Sequence, residues 1–283
     1  MRRWRDWRPI VFGLALVVGG ARFVAAQPRP LPIAHVDGVG AGNISLQTSA
    51  DYTHNAQYTL SGLDGNLWRV GLVRLDVGLS SIADLELSGG LRDYLQILAT
   101  HPAPLSDELL LPNPASTSAF DDIIVGTKIR VHQADGGTPG LAVYVGTRLP
   151  NAKHPSGLGQ DTMDFYTRAI VGESLGPLHA TVNGGLGVLG DPMRSTRHVS
   201  SLLYGAELSA PVVSHLALVV GGDGRTGPNE PGLESRAIAR LGFEWASEGP
   251  LFVNLSATRG MTPRDGRGGG AITIGYTFHA FNP

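Results

Sequence analysis

An alternation with period two, sustained over ten or more residues and repeated along the chain, constrains this sequence more than any other feature. It is clearest in Met163–Leu189. Met163, Phe165, Thr167, Ala169 and Val171 share one parity, and Asp164, Tyr166, Arg168, Ile170 and Gly172 share the other. After the turn formers Leu175-Gly176-Pro177, Leu178, Ala180, Val182, Gly184, Leu186 and Val188 alternate with His179, Thr181, Asn183, Gly185 and Gly187. Side chains of a strand point to opposite faces at each step, so each run makes one greasy face and one polar or small face. Two such runs about a two-residue break read as a hairpin.

The motif recurs. Twelve strand-like segments fall at about 43–52, 66–78, 83–96, 119–132, 140–150, 161–175, 178–190, 199–210, 214–225, 233–245, 251–260 and 270–281. In Ile123–Val131, the residues Ile123, Val125, Ile129 and Val131 oppose Gly126, Lys128 and Arg130. Leu233, Ala237, Ala239, Leu241, Phe243 and Trp245 oppose Glu234, Arg236, Arg240 and Glu244. Segment 66–78 is irregular: Trp68, Val70 and Leu72 share a parity with Arg74 and Asp76, which leaves its faces unassigned beyond Leu72.

The connections alternate in length. Short ones fall at about 79–82, 133–139, 176–177, 211–213 and 246–250, with Asp135-Gly136-Gly137 and Glu248-Gly249-Pro250 among their turn formers. Longer ones fall at about 53–65, 97–118, 151–160, 191–198, 226–232 and 261–269. An even strand count with short turns at one end and long loops at the other is the signature of a bacterial outer-membrane barrel.

A soluble β-sandwich also alternates, with its apolar face turned into a core. The strands here exceed the usual length of about 5–6 residues, and the polar face mixes small with charged residues, as a wet lumen would. Phe165, Phe243, Trp245, Tyr276 and Phe278 lie toward strand ends, where an aromatic girdle would sit. Beyond residue 26 no apolar run of about 18 residues is present, so a spanning helix is excluded there. In lipid, backbone polar groups must then be paired by closing the sheet. The expected fold is an all-β, antiparallel, up-and-down transmembrane barrel of about twelve strands spanning 43–283.

Before it, Arg2, Arg3, Arg5 and Arg8, the apolar run Ile10–Gly20 and the small residues Val24-Ala25-Ala26 have the form of a signal peptide over 1–26. Residues 27–42, rich in Pro and Gly, read as a disordered periplasmic lead-in too short to plug a wide pore. Cysteine is absent, which excludes disulfides and thiolate chemistry. The net charge of −2 offers no basic footprint for nucleic acid.

Two short motifs resemble catalytic or cofactor signatures. Gly172-Glu173-Ser174-Leu175-Gly176 has the form of a hydrolase nucleophile elbow, which requires a helix after the turn. A proline and another alternating strand follow instead. Gly185-Leu186-Gly187-Val188-Leu189-Gly190 has dinucleotide-binding spacing, but within a strand and not opening a helix. The nine His make no i, i+4 pair, and Asp121-Asp122 reads as a solvated strand start before any Ca²⁺ site. No catalytic residue, metal or cofactor is expected.

The run Asp121-Asp122-Ile123-Ile124-Val125-Gly126-Thr127-Lys128, then Tyr144-Val145-Gly146-Thr147-Arg148-Leu149-Pro150, resembles a strand pair in a known family. So do Gly157–Phe165 and Gly176-Pro177-Leu178. The family is the outer-membrane proteins named for the meta-pathway of phenol degradation. The resemblance spans about 66–278 and is clearest over 119–190. It implies a transporter-like barrel akin to hydrophobic-substrate channels. In that family a closing strand ends on an aromatic; Phe278 fits, and His279–Pro283 runs past it.

The charged residues Lys128, Arg130, Arg148, Arg168, Arg236, Arg240, Glu86, Glu207, Glu234 and Glu244 fall on the inward face and are candidates to line a pore. A charged side chain facing mid-membrane lipid costs roughly 2–4 kcal/mol for Arg or Lys, which favours that placement. They would brace the lumen as ion pairs or select permeating solutes. The expected function is passive uptake of small solutes, which the resemblance implies are hydrophobic or aromatic. Its partners are outer-membrane lipid, the solute and, during biogenesis, periplasmic chaperones and the barrel-assembly machinery. Two alternatives remain open. One is a lipid-modifying barrel enzyme, for which Ser214-His215 and Ser256 are the available nucleophile candidates. The other is a filled structural barrel. Loop 97–118, with Leu109-Leu110-Leu111 among its prolines, would capture a greasy ligand or fold into the mouth.

Overall fold

The computed structural model describes residues 34–135, 137–152 and 154–282. The expected signal peptide, the first residues of the lead-in and Gly136 lie outside them. Thirteen strands run in chain order: β1 (Asn43–Tyr58), β2 (Leu63–Gly78), β3 (Ala83–Thr100), β4 (Ser116–Ala119), β5 (Ile123–His132), β6 (Gly140–Leu149), β7 (Asp164–Leu175), β8 (Leu178–Gly190), β9 (His198–Val213), β10 (Leu216–Arg225), β11 (Arg236–Ala246), β12 (Leu251–Gly260) and β13 (Gly268–His279). Each pairs antiparallel with its neighbours. β1 also pairs β13, so the sheet closes on itself. β4 and β5 both pair β3, at Asp93–Gln96 and Ala83–Ser88 respectively. They are two pieces of one wall position, and the barrel is twelve-stranded. Closure removes the two edges that an open sheet would leave unpaired.

The distribution of side chains is inside-out. Leu46, Val143, Phe165, Val182, Leu186, Leu202, Leu241, Phe243, Leu255 and Ile272 are exposed on the outer surface, whereas Gln47, Asp76, Lys128, Thr181, Asn183, Glu207 and Asn254 are buried inside. This is the arrangement that a hydrocarbon surround requires and that a sandwich core would reverse. Ile170 alternates inward with Arg168 and is fully buried, against Val36 and Ala142.

The mixed parity of segment 66–78 has a local cause. Gly71 sits at φ 65°, a left-handed conformation that glycine adopts without Cβ strain. It reverses the faces along β2: Trp68 and Val70, before it in the chain, are exposed, and Arg74 and Asp76, after it, point inward. A Cβ on Gly71 would also meet the Leu91 side chain at 2.8–3.0 Å. β1 changes register nearby, with Asn55 at φ 56°.

Two expectations are corrected. The long connection at 53–65 is instead continuous strand: β1 and β2 extend to Tyr58 and from Leu63, joined by four residues. The polar run at 51–57 resembles a loop because its side chains serve the lumen, as where Arg69 pairs Asp51 at 2.8 Å. The lead-in also differs over 34–42. Ala34, Val36 and Val39 are buried within the barrel, so this part is a packed strap. It is thin, yet it runs along the inner wall, where few residues suffice to obstruct a twelve-stranded lumen.

Candidate functional site

The site is the lumen, bounded by a floor, a roof and a charged wall. The floor is the strap 34–42, at the end where the short turns lie. Asn183 of β8 grips Ala34 twice: its Oδ1 accepts from the Ala34 N–H at 3.1 Å and its Nδ2 donates to the Ala34 carbonyl at 2.9 Å. Lys128 Nζ donates to the Asp37 carbonyl at 2.7 Å, and His35 Nε2 lies 3.3 Å from Glu207 Oε1. The Gly42 N–H donates to the Gly78 carbonyl, which joins the strap to β1 at the rim. A segment without regular structure must place its backbone groups somewhere, and here the inward polar side chains accept them.

The roof forms at the long-loop end. Past Gly71 the inward face of β1–β3 becomes apolar, with Ala56, Leu63, Leu67 and Leu95 buried. Leu109 and Leu111 of loop 101–115 and Leu158 of loop 150–163 pack on this patch, while Leu110 stays exposed. Hydrogen bonds tie the loops together: Ser61 Oγ to the Gly157 carbonyl, the Leu110 N–H to the Pro155 carbonyl, and Gln160 Nε2 to the Gly232 carbonyl. Of the two outcomes for the leucine-rich loop, Leu109 and Leu111 take the mouth-folding one.

The wall between them carries the charge. Arg74 bridges Asp76 and Glu86 at 3.0 and 2.9 Å. Lys128 reaches Asp84 at 3.4 Å and Glu86 at 3.7 Å. Arg148 binds Asp122 at 2.9 Å and Asp164 at 2.7 Å. Arg236 binds Asp265 at 2.5 Å, Arg240 binds Asp223, and Arg264 binds Glu234 at 2.9 Å. Arg130 lies below them, at the floor, donating to the Ser81 carbonyl beside Asp37. Glu244 stands on β11 with one oxygen buried, and Glu207 is buried beside His35. Arg168 is different: it faces the lumen with no ion pair among the described residues.

Asp122 is missed by the solvated-start reading. It breaks the wall between β4 and β5, turns inward, and accepts from the Asn151 and Ala152 N–H groups and from Arg148. The pairing is non-local, so the Asp-Asp dipeptide gives no signal of it. Asp164, Asp223, Arg225 and Asp265 are likewise absent from the sequence-derived list, although Asp164 shares the parity of Arg168.

Between floor, roof and wall lies a partly open cavity of about 420 Å³, lined by Ala34, Arg74, Glu86, Tyr144, Tyr166, Arg168, Leu203, Arg225, Arg236 and Ile238 among others. Outside the wall, the loops carry a further cluster. Arg197 pairs Asp191 at 3.0 Å and Glu230, tying loop 191–197 to loop 226–235. The hydrogen bond from Arg197 holds Glu230 below the usual carboxylate range. Burial works against Asp191, but the Met193 N–H and Arg197 outweigh it and lower its pKa as well.

Ser174 lies at the β7–β8 turn, with its Oγ 3.3 Å from His179 Nδ1. The glycine after it, Gly176, has φ 65° and opens a strand. The G-x-S-x-G run is thus a strand–turn–strand corner, and the G-x-G-x-x-G run lies inside β8.

No family model matches the chain, and no curated protein matches it. Solved structures do. The COG4313 outer membrane channel from Pseudomonas putida F1 superposes with a TM-score of 0.61 at 14% identity, covering 89% of this chain and 100% of that one. The translocator domain of the autotransporter NalP from Neisseria meningitidis gives 0.48 at 16% identity, over 84% and 89%. At such identity the first likeness is one of fold: the chain is a closed antiparallel barrel of the outer-membrane type.

Proposed function

We propose that this protein is an outer-membrane channel through which small solutes pass passively. The observation that carries the reading is the inside-out barrel with a charge-lined cavity that the described residues leave open between two thin closures. A purely structural barrel gains nothing from burying so many ionised groups, whose desolvation is offset only by good pairing. The short-turn end, with the strap, faces the periplasm in this reading, and the tied loops face outward. Passage requires the strap to shift from Asn183 and Lys128, and the loops over Leu63 and Leu95 to part.

The resemblance over 119–190 to proteins named for phenol degradation supports a small aromatic or otherwise hydrophobic solute. That the Pseudomonas putida protein is an outer membrane channel is in keeping with it. The outer apolar band supports an outer-membrane location, and the form of residues 1–26 supports export. The charged wall acts by bracing and filtering and carries no reaction.

Solute entry into proteoliposomes tests the reading. Entry should exceed that of empty vesicles and rise when residues 27–42 are deleted. No excess in either form overturns it. Heat-modifiable migration from isolated outer membranes checks location. Turnover of a fluorogenic phospholipid, abolished by Ser214→Ala or Ser256→Ala, would instead favour the lipid-enzyme reading.

A further inference from the structure

Cross-strand pairing places six inward residues of the barrel wall in one row. Tyr144 pairs Arg168, Arg168 pairs Gly185, Gly185 pairs Leu203, Leu203 pairs Arg225, and Arg225 pairs Arg236. Gly185 and Leu203 stand between the two arginines, and Gly185, with no side chain, adds no bulk beside Arg168. The charges along this wall are unequally matched. Each lining carboxylate has a cation: Glu86 has Arg74, Asp223 has Arg240, and Asp265 has Arg236. Arg168 has no such partner among the described residues, and Arg225 reaches only the Gly232 carbonyl, at 3.2 Å. The Nε atoms of both are buried without an acceptor.

Two guanidinium groups left unneutralised in a partly dry cavity are costly, and an anion that meets both relieves the cost. The guanidinium fork matches a carboxylate in two parallel hydrogen bonds. Around the pair stand Tyr144, Tyr166, Leu203 and Ile238, with Ala34 beneath, which offer flat apolar contact to the rest of a ligand. The volume, about 420 Å³, lies within the usual range for small-molecule sites.

We propose that Arg168 and Arg225 form a binding site for a small organic carboxylate with a flat apolar body, seated on the strap at Ala34. The anionic group engages the two guanidiniums, and the ring or chain lies against Tyr144 and Leu203. This names the solute class of the channel reading and rests on it.

The test uses the full mature chain in detergent micelles, titrated calorimetrically with benzoate, benzyl alcohol and benzylammonium. These share a ring and differ in charge. Benzoate should bind at least tenfold more tightly than either of the others. The double variant R168Q/R225Q should lose that preference while keeping its unboiled gel mobility. If the double change prevents assembly, R168Q and R225Q singly should each weaken benzoate at least threefold without affecting benzyl alcohol. Equal affinity for benzoate and benzyl alcohol overturns the proposal, as does a preference that survives in the assembled variants. The same solutes are then followed into proteoliposomes. Binding without entry would sink the channel reading and leave the site standing; entry without charge preference would do the reverse.

Discussion

The two closures of the lumen are built from different chemistry. At the long-loop end, Leu63, Leu67 and Leu95 of the wall meet Leu109, Leu111 and Leu158 of the loops. At the short-turn end, the strap packs Ala34 and Val36 on Ala142 and Ile170 and adds directional ties from Asn183, Lys128 and the His35–Glu207 contact. Apolar contact is non-directional and tolerates sliding, whereas hydrogen bonds hold one geometry and fail abruptly when one partner is lost. The roof is therefore suited to parting by degrees, and the floor to releasing as a unit.

Four measurements bear on that contrast. The largest effect is expected from Lys128→Ala. It strips Asp84 and Glu86 of a shared cation and the strap of its tie to Asp37. Removing one partner of a buried pair costs about 3–5 kcal/mol, to be read by urea unfolding of the micelle-bound barrel. Next, Leu95→Ala should cost about 2–4 kcal/mol, since Leu95 is completely buried. Hydrogen exchange should rise in loops 101–115 and 150–163 and stay unchanged in the strap. Asn183→Ala should cost about 1–3 kcal/mol, and its signature is the opposite: faster exchange over 34–42 with an undisturbed roof. If either substitution loosens both ends equally, the closures are one cooperative unit and the contrast fails.

The smallest effect concerns acid. Glu230 and Asp191 are held below their ordinary pKa by Arg197. A lowered carboxylate contributes stability that is fully present above its unfolded value, about 4, and is lost as pH falls through the folded one. The tie between loops 191–197 and 226–235 should therefore be intact at pH 7 and at pH 5 and loosen only below about pH 4. Glu230→Gln should remove that step from the pH profile of loop exchange while leaving the floor unaffected.

Much of the architecture was legible from residue order. Alternation such as Phe165/Tyr166/Thr167/Arg168 assigns each side chain to lipid or lumen once a strand is assumed. All twelve wall positions appear where that pattern runs. The reading failed where backbone conformation departs from regular strand. Gly71 reverses the faces of β2, and the polar residues before Tyr58 looked like loop because they point into a wet interior. The inward charges were identifiable by parity, but not their partners. Arg148 reaches Asp122 across 26 positions, and Arg236 reaches Asp265 across 29.

What the sequence by itself determined is the period-two code, and with it the closed barrel whose apolar half faces outward. That code is local, set by the geometry of each strand and the turn after it. What only the tertiary structure decided is how the lumen is filled. Ala34 meets Asn183 across 149 residues, Leu109 meets the apolar end of β1–β3, and Arg168 shares a row with Arg225 while having no counter-ion among the described residues. Those relations exist only once the sheet has closed, because closure brings distant strands around one shared interior, and no local pattern records which side chains will meet there.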